Sequence, residues 1–131
     1  IDQLTLSMEI SSEAPGINSD WPSDISFILN DIKIGTWTSP GDFGEVRGIF
    51  TPDWWFPNWN QYGLLKMISI NKKGTFLDGL KISDVNINQF ALDYRLQVSE
   101  DARNVGGLTI FGSTFGNYNQ DIKIRIKYSP L

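Results

Sequence analysis

The sequence predicts an all-β domain, a two-sheet antiparallel β-sandwich or jelly roll, and three observations carry that expectation. Apolar and polar residues alternate with a period of two in segment after segment, the pattern of a half-buried strand. Pairs of Asn, Asp and Gly punctuate those segments where tight hairpins demand positive φ. No segment carries a sustained helical stripe with caps. The 131 residues suit a single β-sandwich domain spanning 1–131, because a chain of that length builds one core and leaves little room for a second.

The elements follow in order. Leu4, Leu6, Met8 and Ile10 fall on one face, with Thr5, Ser7 and Glu9 on the other. Ile25, Phe27 and Leu29 repeat the pattern, and Ile32 and Ile34 follow after Asn30-Asp31, a two-residue hairpin turn. A strand over Glu45 to Phe50 is expected before the one around Leu64 to Ile70. Asn71-Lys72-Lys73-Gly74 marks the next reversal, and Asp78-Gly79 between Phe76 and Ile82 the one after. A single helical turn fits within Ser83 to Gln89. Phe90, Leu92, Tyr94, Leu96 and Val98 form the longest alternating face. Glycines 106, 107 and 112 inside a strand pattern imply a bulge or a close backbone approach. Ile122, Ile124, Ile126 and Tyr128 give the last apolar face, set against Lys123, Arg125 and Lys127, which form a solvated face that protects an edge strand.

Composition excludes several function classes. There is no cysteine and no histidine, so thiol nucleophiles, disulfides, thiolate or imidazole metal sites and Ser-His-Asp chemistry are all absent from this chain. Eleven basic against fifteen acidic residues give a net charge of −4, a poor basis for direct contact with the phosphates of DNA or RNA. No apolar run approaches the roughly 18 to 20 residues that span a bilayer, and no secretory signal opens the chain. The start inside a strand-like pattern, at Ile1 to Ile10 and without methionine, suggests a piece of something longer. Lack of cysteine suits the cytoplasm, the expected location, without fixing it.

Function is expected in the loops. Ser11–Ser23 and Trp37–Tyr62 are longer than ordinary connections, which marks them as functional candidates. If successive strands alternate in direction, Ser11–Ser23, Thr38–Gly44 and Ser113–Gln120 emerge at one end of the sandwich. All five tryptophans lie between Trp21 and Trp59, among prolines, aspartates and asparagines. Indole faces stack on the apolar faces of sugars while carboxylates and amides bond the hydroxyls, and prolines keep such loops stiff. The expected ligand site is therefore Asn18, Asp20, Trp21, Trp37 and Asp42, joined by Trp54, Trp55 and Tyr118, on a galactose-binding-like or carbohydrate-binding-module-like scaffold. The ligand would be a carbohydrate-like small molecule, with no cofactor and no metal. The competing structural reading has the tryptophans plugging the open ends of the core. Asp20, Asp42, Glu45 and Asp53 raise two further alternatives: carboxylate acid/base catalysis on a glycoside and oxygen-only calcium binding, although the regular spacing of a helix–loop–helix calcium site is missing.

Several stretches together also resemble one family. They are Ser12-Glu13-Ala14-Pro15-Gly16, Asn18 through Ile25, Gly35 through Gly44, Gln61 through Lys66, Asp78-Gly79 with Lys81 through Val85, and Gly106-Gly107 through Phe115-Gly116-Asn117-Tyr118-Asn119-Gln120-Asp121-Ile122. Along nearly the whole chain they resemble the C-terminal β-sandwich domain of bacterial ArsR-type winged-helix transcriptional regulators. The resemblance implies a winged-helix domain ahead of Ile1 that makes any DNA contact, and an effector-sensing role for this domain. It supplies neither a ligand nor site residues, and metal sensing through Cys and His cannot carry over. The rival expectations are a dimerisation or protein-interaction sandwich that makes the regulator a homodimer, and, more remotely, a small glycan-active enzyme.

Overall fold

A computed structural model describes residues 2–13, 20–44, 46–56, 59–86 and 92–128. Among them nine strands and no helix are found: β1 (Gln3–Glu13), β2 (Ser23–Leu29), β3 (Ile32–Ser39), β4 (Leu64–Asn71), β5 (Gly74–Leu77), β6 (Leu80–Ser83), β7 (Tyr94–Gln97), β8 (Gly107–Phe111) and β9 (Lys123–Lys127). They form two antiparallel sheets packed face to face, consistent with the β-sandwich the alternation predicts. Sheet A runs β6-β5-β4-β1, and the far edge of β1 pairs with both β8 and β9; sheet B is β3-β2-β7.

Turn chemistry decides the hairpins as expected. Asn30 and Asp31 adopt φ of 51° and 65° between β2 and β3, and Asp78 and Gly79 adopt 49° and 88° between β5 and β6. Positive φ at both central residues twists the turn in the sense that the strands require. The period-two pattern then fills the core. Leu4, Leu6, Met8 and Ile10 of β1 meet Ile25, Phe27 and Leu29 of β2, Ile34 of β3, and Ile68 and Ile70 of β4. Tyr94 closes one side, donating its hydroxyl hydrogen to Met8 Sδ at 3.2 Å, and burial pushes its phenol above the ordinary value of 10.0.

Several expectations change. Residues 46–50 form no strand, and the described residues of 40–63 carry only a single bridge, Phe43 to Tyr62; Glu45, Pro57 and Asn58 lie outside the described residues. Residues 83–86 hold no helical turn, and 87–89 lie outside the description. The strand on the long alternating face shortens to Tyr94–Gln97, although Leu92, Tyr94, Leu96 and Val98 all pack against the core as their alternation predicts; Phe90 lies outside the described residues. The segment around Ser113–Gln120 does not emerge at an end of the sandwich. β8 pairs with β1 over Glu9–Glu13 and β9 pairs with it over Gln3–Ser7, so 112–122 is an excursion from the middle of one interrupted edge strand. The apolar row of β9 is exposed instead of joining the core.

Candidate functional site

The alternation that buries Met8 and Ile10 turns Glu9, Ser11 and Glu13 to the outer face of sheet A. Glu9 and Ser11 are nonetheless fully buried, because two irregular segments lie over them: the 40–63 loop and the 112–122 excursion. The Glu9 carboxylate joins these segments. It accepts the N–H of Gly63 at 2.8 Å, of Asn117 at 3.0 Å and of Tyr118 at 3.1 Å. A charged acceptor shared by three amides is a strong anchor. Gly116, at φ 69°, passes directly over it, where a Cβ would collide with both carboxylate oxygens.

Further bonds stiffen the cover. Thr51 Oγ donates to Gln61 O at 2.7 Å and accepts from Gly116 N at 3.0 Å. Phe50 N–H donates to Gly116 O at 2.8 Å, and Ile49 N–H to Asn117 Oδ1 at 2.8 Å. Asn60 is the hinge to the sheet: its Oδ1 accepts Phe43 N–H at 3.0 Å, and its Nδ2 donates to Ser11 Oγ at 2.9 Å. Phe43 and Tyr62 stack beside it, 5.0 Å apart and nearly parallel. Arg47 donates to the carbonyls of Pro52 and Trp55, and Trp55 Nε1 donates to Asn60 O at 3.1 Å.

Between this cover and β8 lies a groove of about 650 Å³. Its aromatic lining is Trp55, Trp59, Phe111 and Phe115; its polar side chains are Glu13, Asp42, Asn60 and Thr109. Trp59 meets Trp55 edge-on at 5.1 Å and Phe115 meets Trp55 at 5.4 Å. Phe56 packs tilted against Trp59 at 4.5 Å, and Trp54 meets Trp55 edge-on at 6.0 Å, so neighbouring rings hold both indoles in place. Trp59 is 50% exposed while Asp42 is almost wholly enclosed, so the groove offers an open indole surface over buried polar chemistry.

Of the residues expected at a ligand site, Asp42 and Trp55 line this groove. Trp54 packs edge-on against Trp55 and Phe115 and is 70% exposed. Trp21 sits apart, its carbonyl accepting Ser12 Oγ–H and its ring lying against Gly106; Asp20 beside it is exposed. Gly106 and Gly107 serve the close approach their spacing implied, since a Cβ at either would meet Ser12, Trp21 or Glu13 within 3 Å. Trp37 is not in the groove. It packs against the core, with Lys66 Nζ 4.4 Å above its ring, which is the plugging role. Tyr118 contributes its backbone N–H to Glu9 and leaves its ring exposed. Asn18 lies outside the described residues.

Sequence reasoning missed Glu13, Trp59, Asn60 and Phe115 as groove residues. Trp59 and Asn60 share the loop of Trp54 and Trp55 and were legible as its continuation. Glu13 and Phe115 become neighbours only through the edge pairing of β8. Among the described residues no group of three or more acidic side chains is placed to hold a metal, and no helix is long and apolar enough to cross a membrane. Comparison with protein-family models, curated proteins and solved structures gives no match.

Proposed function

We propose that this domain binds a neutral, carbohydrate-like ligand in the groove on the outer face of sheet A, as the effector-sensing part of a cytoplasmic ArsR-type regulator. One observation carries the ligand class: the half-exposed Trp59 ring, held by Trp55 at 5.1 Å and Phe56 at 4.5 Å, lines a groove whose polar side chains are two carboxylates, an amide and the Thr109 hydroxyl. Stacking suits the C–H face of a pyranose, and carboxylate and amide oxygens accept its hydroxyl hydrogens. Neither Lys nor Arg lines the groove, which disfavours uronic acids and sugar phosphates. The bonds from Glu9, Thr51 and Asn60 preorganise the loop, so little ordering cost falls on binding. Regulation requires that the ligand distinguish two states of the whole regulator, whose winged-helix module would precede residue 1 and make all the contact with DNA.

Titration of tryptophan fluorescence with neutral oligosaccharides of glucan, xylan, mannan and chitin type tests the reading. One class is expected to change the emission. Trp59→Ala is expected to abolish the response and Trp21→Ala, away from the groove, to keep it. Silence from every class, or loss with Trp21→Ala alone, would refute the site. Turnover of a glycoside that vanishes in Asp42→Asn would move the function from binding to hydrolysis.

A second reading is favoured by the crest of the same loop. Ile49, Trp54 and Phe56 are 77%, 70% and 58% exposed, more apolar surface than a loop needs for its own packing. A protein-interaction or dimerisation module would use that crest. Sedimentation separates the two: a dimer dispersed by Trp54→Ala, together with no response to sugars, would favour assembly.

A further inference from the structure

β9 departs from the burial logic of the rest of sheet A. Its register places Ile126 opposite Leu4 and Ile124 opposite Leu6, so both isoleucines point to the inner side, where Leu4 and Leu6 are enclosed. Yet Ile124 is 55% and Ile126 42% exposed, and Tyr128 just beyond is 71% exposed. The cause is topological. Sheet B has three strands against six, with β3 over β5 and β6 and β2 over β1 and β8. It ends at β7, and among the described residues no strand of sheet B covers β9. On the other face Lys123, Arg125 and Lys127 flank Ser7, Thr5 and Gln3, and no ion pair among the described residues engages them. The far edge of β9 pairs with no strand among the described residues.

We propose that β9 is a docking edge for an extended segment of a partner protein, which adds to sheet A as a further strand and alternates aliphatic residues with Asp or Glu. Backbone hydrogen bonds along the open edge supply affinity, and the alternation supplies specificity. The aliphatic side chains continue the row of Ile124 and Ile126, while the carboxylates meet Lys123, Arg125 and Lys127 on the opposite face. Charge rules against a second copy as occupant. Because side chains alternate with period two, any register that puts both isoleucine rows on the inner side also sets the two cation rows opposite each other, and like charges directly across a ladder destabilise it. Three of the eleven basic residues fall within this one strand of a chain of net charge −4. The edge is thus a local basic stripe that steers an acidic segment toward it.

The experiment titrates the whole chain into a labelled peptide of about nine residues alternating Val and Glu, read by fluorescence anisotropy, with amide NMR shifts mapping the contact. The Glu peptide is expected to bind at least about tenfold more tightly than a Val–Lys peptide, a preference of the size rim charges confer, with shifts centred on residues 122–128. The triple variant Lys123→Glu, Arg125→Glu, Lys127→Glu, with its thermal midpoint verified as native-like, is expected to reverse the preference. Absence of Glu-peptide binding, equal binding of both peptides, shifts centred elsewhere, or a solution dimer dispersed by Ile124→Lys would each overturn the proposal.

Discussion

β1 passes through two environments along its length. Its C-terminal half, paired with β8, carries Glu9, Ser11 and Ser12 fully buried. Its N-terminal half, paired with β9, has neighbours exposed on both faces. The polar half is enclosed on its outer face, while the half beside Ile124 and Ile126 borders an exposed strand, the reverse of what side-chain polarity alone would arrange. The difference lies in what covers each. The 40–63 loop and the 112–122 excursion bring their own N–H groups to the outer face, so burial of Glu9 and Ser11 is matched by hydrogen bonds. Among the described residues no strand of sheet B packs on β9, and its apolar row stays about half exposed.

The comparison breaks most sharply at Glu9. Glu9→Leu removes the acceptor shared by Gly63, Asn117 and Tyr118, leaving buried donors unsatisfied, and is expected to cost about 4 kcal/mol in urea unfolding. Glu9→Gln keeps one oxygen and should cost about half as much. Arg125→Leu, on the same outer face at the open half, is expected to change stability by less than about 0.5 kcal/mol. Similar losses from Glu9→Leu and Arg125→Leu would mean that the cover is not anchored as described.

A cross-strand pair sharpens the contrast at the next level. Leu6 and Ile124 are direct partners on one face, yet one is enclosed and the other is half open. Leu6→Ala creates a cavity and is expected to cost about 3 kcal/mol. Ile124→Ala removes side chain that water already reaches and is expected to cost about 1 kcal/mol. Chemical denaturation of the two variants measures the ratio directly. Equal losses would show that β9 is covered in solution, and would remove the exposed row on which docking depends.

How much of this was legible in the sequence follows the same division. Local chemistry gave the sandwich and its hairpins, because Asn30-Asp31 and Asp78-Gly79 carry their turn geometry in their own residue types. The Leu4–Ile10 alternation likewise named its core face unaided. Coverage was not legible. Glu9 and Thr5 alternate identically along β1, and nothing local separates the one that becomes buried from the one that does not. Ile124 has the same pattern as Ile25, but burial of Ile124 would have needed another strand in sheet B. In the groove, Trp55 and Asp42 were found from residue type within one loop, whereas Glu13 and Phe115 depend on pairing between strands distant in sequence. Trp37 shares its loop neighbours' composition, but its place opposite Ile25 in the β2–β3 ladder turns it toward the core and away from the groove.

The smallest expected difference between the two regions is in their response to acid. At the covered end, Asp24 accepts bonds from Thr38 Oγ1 at 2.7 Å and from Asn104, and these hold its carboxyl below the ordinary value of 3.8. Asp121 is held low in the same way by the N–H and hydroxyl of Ser113. β9 itself contributes no carboxylate. A depressed carboxylate binds fewer protons folded than unfolded, so its stabilisation is complete above 3.8 and is lost as pH falls through the lower folded value. Both carboxylates are solvent-accessible and screened, which keeps the effect small. Amide shifts followed from about pH 5 to about pH 2, the range in which such carboxylates titrate, are expected to move at Asn104 and Ser113 while those of β9 hold. Asp24→Asn should remove the Asn104 titration and leave that of Ser113. A β9 response at the same pH as the Asn104 response would join the two halves into one acid-labile unit and erase the distinction between them.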